Sequence, residues 1–245
     1  MEKIKIGIPR AFLFYKYQYL WERFFKELGC KVILSPKTNK EILKDGINFS
    51  IDESCLSAKV YMGHVFWLKE KVDYILVPRI VSFGKREVVC VKFNAMYDIV
   101  RNTFPNIKIL DYNIDYEKGE NEFKAFLKMG LFLRCGVLKT TKAYFLAKKY
   151  EKKKKEEFML EQEKLIEETD NLKIMIVSHP YNTYDELLGK PIIKYLESLG
   201  VTLIYADLIG DIECESLIKD VTRSLYWTYN KELISAICKY QDKID

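Results

Sequence analysis

Residues 3–10 read KIKIGIPR and residues 172–180 read LKIMIVSHP. Each is a short aliphatic run that breaks on a proline-bearing loop. The segments after these two runs are also alike. The first run leads into a helical stretch ending KELG (26–29) and then CKVILSP (30–36). The second leads into one ending ESLG (197–200) and then VTLIYAD (201–207). Gly29 and Gly200 fall where a helix stops, and glycine accepts the left-handed conformation that such a stop uses. A strand, a helix and a returning strand at this spacing require a right-handed crossover and a parallel sheet. The repeated start reads equally well as a duplicated lobe and as the common opening of α/β proteins.

Between the two copies, VDYILVPRIV (72–81) and NIKILDYNI (106–114) read as buried strands. Residues 55–70 and 92–104 read as helices, and residues 121–170 as mainly helical with a break near Gly136. The expected fold is therefore α/β: two doubly wound parallel-sheet lobes joined by a helical segment. The boundaries are 1–118 for the first lobe, 119–170 for the connector and 171–245 for the second lobe. In open parallel sheets, ligands bind beyond the carboxyl ends of the strands. Pro9-Arg10, Pro78-Arg79, Cys90 and the His179–Asn182 stretch all fall at such ends, so chemistry is expected where loops of the two lobes converge.

Composition narrows the class. A chain of 245 residues with 49% hydrophobic and 14% aromatic residues supports a real core. The net charge of +5 is spread over scattered lysines. The densest run, Lys152 to Lys155, precedes Glu156, Glu157, Glu161 and Glu163, a pattern that reads as a solvated helix face. No reader motif or basic–aromatic interleaving accompanies it, so no nucleic-acid partner is expected. The chain opens almost directly on a strand, without a signal-peptide pattern, and no apolar run approaches the ~20 residues that span a bilayer. The expected location is the cytoplasm, where six cysteines stay reduced.

No phosphate-cradling glycine loop, nucleophile elbow, HExxH helix or CxxC pair is present. Cys30, Cys135 and Cys238 read as packing thiols, and Cys214 has no evident partner. Cys55, in IDESCLSAKV (51–60), and Cys90, in EVVCVKF (87–93), both fall at helix starts, where free backbone N–H groups suit a negative ligand. From spacing alone they read either as ordinary thiols or as two ligands meeting at one face of the sheet. His64, in YMGHVFWL (61–68), reads as a hydrogen-bonded core residue. His179 reads either as a functional group or as a turn-stabilising one.

Taken together, residues 5–43, IDESCLSAKVYMGH (51–64), VDYILVPRIVS (72–82), CVKF (90–93) and HPYNTYDE (179–186) resemble one family. It is the acyl-CoA dehydratase activase-related family, cousin of the 2-hydroxyacyl-CoA dehydratase subunits. The resemblance runs through nearly the whole chain and is looser over residues 115–170. It implies an iron–sulfur cluster of 4Fe–4S type held by cysteines from separate loops, with Cys55 and Cys90 among the ligands. It also implies a separate ATP-hydrolysing activase as partner. Family members usually continue past ISAICKYQDKID (234–245) into a further strand and a Cys-Gly-Pro loop. On that comparison the second lobe is incomplete and a third thiol is missing, because two thiolates do not complete a four-cysteine set.

The resulting expectation is an iron–sulfur protein in low-potential electron transfer or reductive activation of a CoA-linked or similar small substrate. Arg10, Arg79 and His179 are expected to line the cleft, the arginines facing an anionic group. No catalytic residue is assigned. The rival expectation is a non-enzymatic accessory or scaffold subunit docking on a dehydratase or its ATPase, and a third is a zinc or thiol enzyme using the same cysteines. The last helix, near 229–240, presents Leu233, Ile234, Ala236 and Ile237. An uncovered sheet edge beside it points to a homo-oligomer or to a separately encoded carboxyl-terminal segment.

Overall fold

The computed structural model describes residues 2–222 and 224–245. Strand β1 (Lys5–Ile8) is buried along nearly its whole length, as in a sheet covered on both sides. Gly7 faces helix α3 (Leu56–Leu68) and the segment after it, where a Cβ would come 2.9 Å from Val72 Cγ2. Successive strand residues point to opposite faces, so Ile6 and Ile8, both fully buried, lie on the other side. Both faces of the sheet are therefore covered, which is the doubly wound arrangement expected.

Helix α1 (Phe14–Leu28) buries Phe14, Tyr17, Leu20, Trp21, Phe24, Phe25 and Leu28. Those positions recur every three or four residues, so they form one apolar stripe. The helix stops at Gly29, whose φ of 86° is left-handed, and Cys30 N–H reaches back to the Phe25 carbonyl at 2.9 Å. The chain then returns as β2 (Lys31–Leu34), parallel to β1.

Helix α2 (Lys40–Asn48) starts on Asn39, whose side chain accepts from Ile42 N–H at 2.9 Å. It packs on α3 backbone to backbone. A Cβ on Gly46 would overlap the Lys59 carbonyl, and one on Gly63 would overlap the Ile42 carbonyl. Strand β3 (Tyr74–Gly84) follows, then β4 (Glu87–Val88), α4 (Val91–Thr103), β5 (Ile109–Asp115) and α5 (Glu122–Phe132). The sheet order is β2-β1-β3-β5, with β1, β2, β3 and β5 parallel. The short β4 folds back antiparallel on the far end of β3, a hairpin within the parallel sheet. The chain runs from β1 outward to β2 on one side and to β3 on the other, so the strand order reverses between β1 and β3.

Contacts divide the chain into Met1–Glu151 and Lys152–Asp245, and the division falls inside one helix, α6 (Val137–Glu168). The turn before α6 uses Gly136 at a φ of 71°. Helix α5 belongs with the first unit: Phe126 packs edge-on against Phe24 at 4.6 Å and Tyr112 at 5.3 Å. The first unit thus extends past residue 118, the sequence-based boundary, because α5 covers the sheet.

In the second unit β6 (Lys173–Ile176) pairs in parallel with β7 (Thr202–Tyr205). With them come α7 (Pro180–Thr183), α8 (Lys190–Ser198), α9 (Asp211–Val221) and α10 (Thr228–Tyr240). The core collects Ile166, Ile204, Ala206, Ile209, Cys214, Ala236 and Tyr240, with Leu233 packed against it. Of the apolar positions expected on the last helix, Ala236 is buried, Leu233 and Ile234 are half-buried and Ile237 is 37% exposed. Each strand also has a side-chain hydrogen-bonding cap from a residue distant in sequence. The Gln162 amide pairs with both the N–H and the carbonyl of Tyr205, at 2.7 and 3.1 Å. Asp245 pairs with both backbone groups of Lys173, at 2.9 and 3.1 Å. The Lys152–Lys155 run meets Glu156 and Glu157 at helical spacing along α6, as a solvated face does.

Candidate functional site

Cys55 and Cys90 occupy equivalent positions: each is the residue immediately before a helix, Cys55 before α3 and Cys90 before α4. The Cys55 backbone is extended, with φ −60° and ψ 152°, Cys90 has φ −54° and ψ 134°, and neither side chain is used to cap its own helix. The carbonyls begin the helices instead. Cys55 O accepts from Ala58 and Lys59 N–H, and Cys90 O accepts from Phe93 N–H at 2.9 Å. Cys55 is exposed and Cys90 half-buried. The turn ahead of Cys55 is tied down by Ser54 N–H to Ile51 O and by Lys59 Nζ to Asp52 O at 3.0 Å. The loop that places Cys90 is the β3–β4 hairpin. The α2–α3 glycine contact fixes one of these helices, and Phe12 joins the two.

Phe12 follows β1 with a φ of 49°, a left-handed conformation that is rare for an aromatic residue. Its ring stacks on Tyr61 of α3 at 5.3 Å and meets Phe93 of α4 edge-on at 5.3 Å. It is 5% exposed. A strained residue is thus wedged between the helices that carry the two thiols, and such strain persists only where packing holds it. Nothing in the residue pattern marks Phe12. The αL conformation favours glycine or asparagine, and the sequence has a bulky aromatic there.

The wedge forms one wall of a cavity at the β1–β3 reversal. Pro9, Phe12, Trp21, Tyr61, Pro78 and Phe93 all border it. Tyr61 is visible in the sequence only as part of a helical stretch, and Trp21 only as part of the α1 stripe.

The two arginines differ. Arg79 is ion-paired with Asp98 at 2.7 Å and lies 4.4 Å over the Tyr97 ring, so its charge is already met. Arg10 lies 5.7 Å over the Phe14 ring, and its Nε donates to the Ser35 carbonyl at 3.1 Å. Its charge acts at longer range. It draws the Glu22 carboxyl down, against a larger upward push from burial, and adds to the depression of His64. His64 is fully buried, and its Nε2 lies 3.0 Å from Thr38 Oγ1. Burial first, then Arg10, holds its pKa down at about 3, so the imidazole is neutral. His64 is a core residue.

Arg10 and Arg79 belong to the first unit and His179 to the second. The His179 ring stacks on Tyr181 at 5.2 Å, and its carbonyl begins α7 by accepting from Asn182 N–H at 2.9 Å. Among the other cysteines, burial pushes the Cys30 thiol up to about 11, with the neighbouring Cys135 adding to the shift and Lys139 opposing it. Cys214 is buried in the second unit's core.

Among the described residues no three or more His, Cys, Asp or Glu side chains converge as a metal-binding group. A cluster with four cysteine ligands therefore does not fit this chain as a self-sufficient site. Cys55 and Cys90, unused by their own helices, are the donors suited to contribute part of one. No described helix is long and apolar enough to cross a membrane.

The first unit is a doubly wound α/β unit in which a cysteine leads each of two helices. The chain belongs to the family described as "CoA enzyme activase uncharacterised domain", whose model matches residues 5–209. That membership gives it a role linked to the activation of CoA-dehydratase-type enzymes. No curated protein and no solved structure matches the chain.

Proposed function

We propose that the chain contributes Cys55 and Cys90 as two ligands of an iron–sulfur cluster completed by a second polypeptide. In that assembly it serves low-potential electron transfer or reductive activation of a CoA-linked substrate. The observation that carries this reading is the equivalence of the two cysteines. Each leads a helix, neither thiol caps its helix, and Phe12 joins the two helices. Unpaired N–H groups at two helix starts supply fixed positive potential, which suits an anionic thiolate cluster. The cluster, when bound, would carry single electrons, while the chain's own part is to hold two thiolates and shield one side with the Phe12–Tyr61–Phe93 packing.

The rival reading is a docking subunit that holds no metal on these thiols. Anaerobic co-expression with the products of neighbouring genes separates the two. The cluster reading expects a brown complex with iron and acid-labile sulfide in near-equal amounts. A complex that forms stably but is colourless and iron-free makes the chain a docking subunit.

A further inference from the structure

Helices α1 and α5 meet over Tyr112 of β5. Trp21 and Phe126 both pack edge-on against its ring, and Phe24 meets Phe126 at 4.6 Å. The two helices then end in the same way. After α1, Gly29 is left-handed, its N–H donates to Lys26 O at 3.0 Å, and Cys30 N–H donates to Phe25 O at 2.9 Å. After α5, Arg134 takes the left-handed place with a φ of 58°, its N–H donates to Leu131 O at 2.9 Å, and Cys135 N–H donates to Gly130 O at 2.9 Å. This paired bonding is the Schellman stop, and it sets a cysteine at the same position beyond each of two neighbouring helices.

The two stops are in contact. Lys139, in the first turn of α6 just beyond Cys135, donates from Nζ to Leu28 O at 2.7 Å, one of the carbonyls that α1 leaves open. The same Nζ stands 3.9 Å from the place a Gly29 Cβ would take. The thiols also feel each other's charge. Burial first, then Cys135, pushes Cys30 up to about 11, and Lys139 opposes them. Both thiols are half-buried, so each keeps a path to solvent. Each reads as a packing thiol until the two stops are brought together.

We propose that Cys30 and Cys135 form a redox dithiol, separate from Cys55 and Cys90, that a low-molecular-weight disulfide converts into an internal Cys30–Cys135 bridge. Cys30 is held protonated, so Cys135, as thiolate, attacks one sulfur of the oxidant and releases its other half as a thiol. That leaves a mixed disulfide on Cys135 and removes the negative charge that opposes ionisation of Cys30, while Lys139 still favours it. Cys30 then attacks the Cys135 sulfur, and the second half of the oxidant leaves. Two protein thiols are oxidised, one small disulfide is reduced to two thiols, and the two cysteine protons end on those thiols. The bridge closes a loop of about 100 residues and ties the stop of α1 to the turn that opens α6.

The test uses the Cys55→Ser, Cys90→Ser chain, which keeps those thiols out of the exchange and makes the outcome independent of any cluster. The folded protein is incubated with oxidised glutathione, and non-reduced peptide mapping and thermal unfolding are read before and after dithiothreitol. The expected result is one peptide pair joining Cys30 to Cys135, a rise in melting temperature on the order of 10 °C, and loss of both on reduction. With Cys30→Ser added, Cys135 should retain one glutathione. With Cys135→Ser added, glutathione should reach Cys30 several-fold more slowly. Absence of the Cys30–Cys135 peptide from folded, oxidised protein overturns the proposal. So does an unchanged melting temperature with the bridge formed, or capture of glutathione by Cys30 as fast as by Cys135.

Discussion

Replacing Phe12 separates the work of its ring from the cost of its backbone. The ring is 5% exposed and packs on Tyr61 and Phe93, so Phe12→Ala should destabilise the first unit by about 3–5 kcal/mol. For a unit of this size that corresponds to a fall in melting temperature on the order of 10 °C. Phe12→Gly removes the same ring but also changes the backbone term. At a φ of 49° a side chain costs roughly 1–2 kcal/mol, which glycine avoids. Glycine's extra chain entropy offsets about 0.5–1 kcal/mol of that gain. The Gly variant should therefore be at least as stable as the Ala variant, by up to about 1.5 kcal/mol, reversing the usual order. Urea unfolding followed by far-ultraviolet circular dichroism and by tryptophan fluorescence measures both. A Phe12→Gly protein clearly less stable than Phe12→Ala would show that Phe12 is not held in a strained conformation.

The packing implies three further outcomes. Gly63→Ala drives a Cβ into the Ile42 carbonyl, a backbone atom, so it should cost about 1–3 kcal/mol despite alanine's better helix propensity; an unchanged melting temperature would refute the close α2–α3 contact. His64 should make the first unit acid-sensitive. The unfolded chain takes up this proton as pH falls through about 6.5, whereas the folded one does so only near 3. Its contribution is therefore complete above pH 6.5 and declines by about 1.4 kcal/mol per unit below it. Urea midpoints at pH 6 and pH 5 should accordingly fall more for wild type than for His64→Gln, and equal falls would contradict the assignment. Gln162→Ala leaves the N–H and carbonyl of Tyr205 without their side-chain partner, so it should cost about 2–4 kcal/mol and speed hydrogen exchange at Tyr205; unchanged protection there would dismiss the edge cap.

Local features of the sequence carried most of the fold. The α1 stripe, its glycine stop and the aliphatic runs of β1, β3, β5, β6 and β7 arise from short-range spacing, which is where periodicity and capping act. The helix starts at Cys55 and Cys90 were legible for the same reason, as was His64 as a core group. Features set by distant residues were not. Gly46 and Gly63 are ordinary helix glycines until α2 and α3 are brought together. The left-handed Phe12 contradicts local preference and is stabilised only by rings from two other helices. The edge caps by Gln162 and Asp245 join residues 43 and 72 positions apart. Arg79 looked available to an anion, but Asp98, one helix later, takes its charge.

The central claim is that Cys55 and Cys90 serve one metal centre, and iron stoichiometry across single and double variants tests it most directly. After anaerobic reconstitution of the complex with iron and sulfide, iron is counted for wild type, Cys55→Ala, Cys90→Ala, the double variant and Cys30→Ala. If the thiols share one cluster, either single substitution should abolish bound iron, the double should lose no more, and Cys30→Ala should retain the full complement. Full iron loading in Cys55→Ala or Cys90→Ala, with each protein folded, would contradict the account.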